Sequence, residues 1–292
     1  MAFICCFSTA KACDSCGCST AGGGLGGLFY ADQNMVGMRW LHTGFTATHF
    51  DSGLPIREDY QQVEWWMRYS FGKRLQVTGF VPYNSFSRKT GTDTRQLKGI
   101  GDVRVLANYT IWESLKGKDM TKMSRHILQI GGGIKFGTGQ FEDVALEGDV
   151  PNTFQLGTGA TNWLLDAIYN FKQRKIGFSA NALLQIPSKN EYEYRYGLQF
   201  NTSMVISYEK QLGNIQLLPF VGTSFEYMDY DQRKGFEQHG TNGEGVFGLM
   251  GIEGTLNRFT ASMNYYHPLR QSYADDEINA KGRGSLSIAY LF

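Results

Sequence analysis

From residue 34 onward, apolar and polar side chains alternate with a period of two, in one segment of about ten residues after another. Period two belongs to the β-strand, whose successive side chains point to opposite faces. The clearest stretch is 195–209. Tyr196, Leu198, Phe200, Thr202, Met204, Ile206 and Tyr208 share one face, and Arg195, Gly197, Gln199, Asn201, Ser203, Ser207 and Glu209 share the other. Val205 is the exception. The apolar face begins and ends in Tyr, as a strand crossing a bilayer requires, because phenol rings sit well at headgroup level. Residues 62–71, 102–111, 162–171 and 285–292 repeat the pattern, with Trp66 and Leu106 falling among polar neighbours.

Composition agrees. The 292 residues include 36 Gly, 20 Phe and 16 Tyr but only 6 Pro, which suits many strands joined by tight turns. There is no run of eighteen apolar residues, so no helix in the sequence is built to span a membrane. A transmembrane strand needs only ~10 residues, half of them facing lipid. A mean hydropathy of −0.31 fits such a chain with a wet interior. A net charge of +1 gives no electrostatic case for nucleic acid.

The pattern predicts an all-β, antiparallel up-and-down transmembrane barrel. Its twelve strands are read at 34–45, 59–72, 73–86, 98–112, 124–137, 160–172, 174–186, 193–210, 214–228, 244–256, 258–268 and 283–292. Short connections follow strands two, six, eight and ten. Longer ones, 46–58, 87–97, 138–159, 229–243 and 269–282, follow the odd-numbered strands one, three, five, nine and eleven. Outer-membrane barrels pair short periplasmic turns with longer outside loops, which places the chain in a bacterial outer membrane with both termini in the periplasm. The segment 113–123 is long for a periplasmic turn. A soluble β-sandwich or lipocalin-like barrel also alternates, but Tyr and Trp at the ends of the apolar face would be odd in a packed core.

Residues 1–12 read as a signal peptide whose beginning is missing, 13–33 as a Cys/Gly-rich periplasmic tether, and 34–292 as the barrel. All five Cys lie in the first 18 residues, so none can staple the barrel. Cys13, Cys16 and Cys18 form a C-x-x-C-x-C run. It is open to three readings: lipid attachment at Cys13, disulfides in the oxidising periplasm, or a thiolate site for Cu(I), Zn or an iron-sulfur centre. A tetrahedral metal site needs a fourth ligand, and no His lies nearby in sequence. Gly22–Gly27 formally fits G-x-G-x-x-G but lacks the strand and helix a dinucleotide site needs.

Inside the strands, Arg39, Glu64, Arg68, Asp102, Arg104, Asp166, Arg195 and Glu253 fall on the polar register and are expected to line the lumen. A lipid-facing charge at mid-bilayer would cost ~2–4 kcal/mol. Both signs are present, which suits salt bridges filling the interior or a polar pathway better than a one-sign ion filter. The five His are scattered, with His42 and His267 near strand ends. A rim hydrolase is thus a third reading, behind a channel or binding protein and behind an interaction subunit that docks a periplasmic partner through the Cys segment. The expectation is a non-enzyme whose partners are lipid and a small solute.

Three short motifs carry a resemblance. Gly99-Ile100-Gly101-Asp102-Val103 with Tyr109, Gly133-Ile134-Lys135-Phe136-Gly137-Thr138-Gly139, and Gly157-Thr158-Gly159 followed by Trp163 to Tyr169 are similar to those of outer-membrane barrels assigned to the MetA pathway of phenol degradation. Gly137 and Leu156 stand where that family has proline. The chain resembles a Bacteroidota-like variant with an N-terminal Cys cluster, most closely over roughly residues 95–172. The resemblance implies a barrel that passes or binds small, often apolar molecules, and no catalytic residues.

Overall fold

The computed structural model describes residues 33–48, 54–116, 124–141 and 154–292. The signal region, the tether up to residue 32, the Cys cluster and His49 lie outside them. Twelve antiparallel strands close into a barrel. They are β1 (Met35–Thr48), β2 (Pro55–Phe71), β3 (Leu75–Thr90), β4 (Asp93–Ile100 and Arg104–Lys116), β5 (Ser124–Lys135) and β6 (Asn162–Gln173), followed by β7 (Ile176–Pro187), β8 (Gln199–Tyr208), β9 (Ile215–Met228), β10 (Gly243–Leu256), β11 (Phe259–Tyr273) and β12 (Ile278–Ala280 and Arg283–Leu291). Each strand pairs with its sequence neighbours, and β1 closes the ring on β12 from Met35↔Leu291 to His42↔Gly284. Closure removes the free sheet edges, so every strand finds its hydrogen bonds within the wall.

The alternation sorts the side chains. On β2, Trp65, Met67, Tyr69 and Phe71 are exposed on the outer face, whereas Glu58, Tyr60, Glu64 and Trp66 are buried inside. From Val63 to Phe71 the strand rises ~26 Å at ~3.3 Å per residue, which a tilt of ~40° converts to about 20 Å of membrane thickness. Aromatics mark both limits: Trp40 and Tyr83 toward one end, and Phe71, Tyr109, Tyr208 and Phe259 toward the other. The described short turns each hold one residue with positive φ, at Gly72 (67°), Arg174 (54°), Gly213 (58°) and Asn257 (55°). Such tight turns match the right-handed twist of the flanking strands.

At the opposite end, several connections among the described residues carry strand structure. The expected loop 87–97 is instead a continuation of β3 and β4, turning at Gly91 (φ 58°) and paired down to Thr90↔Asp93. Likewise β11 runs on to Tyr273, and Ile278–Ala280 pairs with β1. Within 229–243, Asp231–Arg233 and Phe236–Gln238 form a hairpin that pairs with Tyr194–Arg195 in a small separate sheet. Strand β8 is therefore shorter than 193–210, because its expected first residues belong to this rim sheet.

Two apolar layers bracket the lumen. Near the long connections, Phe45, Tyr60, Phe86, Phe154, Phe247 and Tyr273 pack together with Leu156 and Met228. The second layer joins Met35, Trp66, Phe80, Leu106, Leu164, Leu183, Ala289 and Leu291. Trp66 lies so close to β1 that a Cβ on Gly37 would stand 2.8 Å from its ring, so only glycine fits there. The polar side chains between and beside these layers form the candidate site.

Candidate functional site

Strand β4 breaks at Gly101-Asp102-Val103, beside Pro82 of β3. Proline has no N–H to donate, so the ladder loses least by opening here. The surrounding bonds persist: Gly101 N–H donates to the Pro82 carbonyl at 2.9 Å, and Phe136 N–H donates to that of Val103 at 2.8 Å. The break turns Asp102 inward. Its carboxylate accepts from Gly139 N–H (3.0 Å), Thr158 N–H (2.8 Å) and the Thr158 hydroxyl (2.7 Å), with Lys135 Nζ at 3.8 Å. Asn84 Nδ2 donates to the Leu156 carbonyl at 3.0 Å.

Residues 154–158 are thereby held inside the barrel mouth. Phe154 is 1% exposed and packs against Tyr60 and Phe86. The approach requires glycines: a Cβ on Gly157 would stand 2.4 Å from the Asp102 carboxylate and 2.6 Å from Gly139 Cα. The three motifs of the family resemblance converge on this one knot.

Below it lies an ionic chain. Glu64, fully buried, accepts from Arg39 on one oxygen and from Arg104 on the other. The Arg104 guanidinium also lies over the Phe80 ring, 4.6 Å from its centroid. Arg68 is electrostatically coupled to Glu253, four strands away around the wall. Asp166 accepts from Asn108 Nδ2. Gly131 leaves the room for that bond, since a Cβ there would stand 2.2 Å from the Asp166 carboxylate. A cavity of about 60 Å³ opens between the knot and the ionic chain, lined among others by Gln62, Asn84, Arg104, Lys135, Gln155 and Thr158. That space suits a few water molecules.

Of the eight charges expected in the lumen, Arg39, Glu64, Asp102, Arg104, Asp166 and Glu253 are buried, and Arg68 is half-buried on the same strand register as Glu64. Arg195 is a correction. It is exposed in the rim sheet, where its Nη2 donates to Gln232 at 2.7 Å. Tyr196, expected on the lipid face, is 2% exposed and packs against Tyr194. The cause is a kink: Gly197 N–H donates to Asp231 at 2.7 Å, and the pleat restarts at Leu198 with the expected phase.

Two inward ion pairs escaped the sequence reading. Glu58 pairs with Arg88 and accepts from the Tyr60 hydroxyl at 2.9 Å. Glu226 takes both Arg283 amino groups, at 2.6 and 2.7 Å, and the Tyr273 hydroxyl. Glu58 and Arg88 fell in stretches read as loop, although 58 shares the inward parity of 64, and 88 that of 84. At the rim, outside the bilayer band, the Tyr230 hydroxyl donates to Asp275 at 2.7 Å. That bond and the charge of the carboxylate raise the phenol above its ordinary range.

The four histidines among the described residues stay out of the lumen. His42 Nε2 meets Asp59 Oδ2 at 2.9 Å on the outer face. His126 and His267 stand among outward aromatics, and His239 packs against Tyr230 at the rim.

No family model matches the chain, and no curated relative does. Among solved structures, the chain resembles an outer-membrane channel from Pseudomonas putida F1, with a TM-score of 0.64 at 13% identity, covering 89% of this chain and 96% of that one. The β domain of the Bordetella autotransporter BrkA follows, with a TM-score of 0.51 at 12% identity, covering 89% and 100%. At such identities the likeness is one of fold. Taken with the lipid-facing band, it makes this chain a closed twelve-stranded barrel of the bacterial outer membrane.

Proposed function

We propose that the protein is a non-enzymatic outer-membrane channel that passes or holds small solutes, with the long connections outside. The observation that carries this reading is the narrowed but polar lumen. The segment 154–158 is docked by hydrogen bonds to Asp102 and Asn84, and beside it lies a cavity lined by amides, Arg104 and Lys135. An interior kept only for stability would gain more from apolar packing than from buried ion pairs, which desolvation makes weak stabilisers. The mouth adds aromatic rings of Phe45, Tyr60, Phe86 and Phe154. A small molecule with an apolar body and a polar group fits both layers. The resemblance to barrels of the MetA phenol-degradation pathway and the channel from Pseudomonas putida support the same class. Liposome swelling tests it. Vesicles carrying the protein should admit small phenols and carboxylates and exclude oligosaccharides; equal exclusion of every solute would overturn the proposal.

A second reading rests on the C-x-x-C-x-C run. Cys13, Cys16 and Cys18 offer three soft thiolates that suit Cu(I) or Zn and could present the metal to a periplasmic partner. Metal analysis of the mature protein against a variant with all three changed to Ser checks it: bound metal lost in the variant supports the site, and equal content in both removes it.

A further inference from the structure

The outer face of the barrel carries a group of cations beyond the apolar band at the long-connection end. We propose that it binds the phosphate groups of an outer-leaflet glycolipid. Antiparallel partners directly opposite each other project to the same face. Arg57 faces Lys89 across the β2–β3 pair, and Lys98 faces Ser85 across β3–β4. All three are exposed, and their strand neighbours Ile56, Glu58 and Arg88 are buried, which fixes the cations outward. Lys281 joins them, its stem lying over Gly44, the outward partner of Asp59.

Two like charges set directly opposite repel each other, at Cβ separations of ~4.5–5.5 Å. None of the four cations has an ion-pair partner among the described residues. The nearby acid is already engaged: one Asp59 oxygen meets His42 at 2.9 Å, and the other accepts from Gln61 Nε2 at 3.2 Å. Unpaired Arg57 and Lys89 thus form a forked donor set suited to a phosphate. Along the same strands toward the bilayer come the ring and apolar side chains of Trp40, Val63, Tyr83 and Ile100. A ligand meeting both surfaces has a phosphorylated head and acyl chains. The cations face away from the lumen, so the inference stands apart from solute passage, though it shares the proposed orientation.

The test is native mass spectrometry of the full chain in detergent, comparing a bisphosphorylated lipid A, its dephosphorylated form and inorganic phosphate. The phosphorylated lipid should stay bound and the dephosphorylated one should not. The triple variant R57Q/K89Q/K98Q should lose affinity by about fivefold or more per cation removed. Equal retention of the two lipids by the wild-type chain overturns the proposal whether or not the variant folds. So does an undiminished affinity in a folded variant. Displacement by millimolar inorganic phosphate would replace the lipid with a free anion and overturn it as well.

Discussion

Glu64 shows what a single residue decides in this wall. It sits fully buried between Arg39 and Arg104, so its one negative charge is shared by two guanidiniums. The E64Q substitution keeps the shape and removes the carboxylate charge that both guanidiniums share, a change that costs about 3–5 kcal/mol at buried pairs. Urea unfolding from lipid vesicles should show that loss; a change below 1 kcal/mol would mean that water screens the lumen. Gly131 makes the complementary case. Alanine there collides with the Asp166 carboxylate and the Asn108 amide, and G131A should destabilise by about 1–3 kcal/mol, measured the same way. Most inward charges were legible because parity alone assigns them once one face must meet lipid. Arg195 was not, because the kink at Gly197 depends on Asp231, thirty-four residues further along the chain.

At the scale of elements, the strand number followed from the sequence, but the strand ends and the length of the connection after β3 did not. Stretches such as 87–97 are rich in charge and Thr, which reads as loop, yet they continue the ladder beyond the bilayer, where neither face needs to be apolar. The bulge between Thr110 and Trp112 is similarly silent in the pattern and sets both Ile111 and Trp112 outward. Within the bilayer the rule is strict. Met67 lies midway along the outward row of β2, so M67R should cost about 2–4 kcal/mol, whereas a polar residue at Gln62, on the inward row, is tolerated. Comparable losses at 67 for Arg and Leu, read from urea midpoints, would place that row away from lipid.

For the whole molecule, the two apolar layers and the inward charges describe a lumen narrowed at its mouth by the segment 154–158. The inward fold of 154–158 could not be read in advance, since the segment has no period and its anchor, Asp102, looked like one more lumen charge. Its glycines were the only trace: Gly139 and Gly157 recur in the motifs that carried the family resemblance, and the backbones of these two glycines meet in the knot. The central claim is that Asp102 holds this segment across a conducting lumen. Single-channel recording in planar bilayers, comparing the wild type with D102A, tests it most directly. The account predicts small, discrete conductance steps for the wild type and larger, noisier ones for D102A, because two hydrogen bonds to Thr158 of the segment and one to Gly139 beside it are lost. Two electrically silent proteins, or two with identical steps, would contradict it.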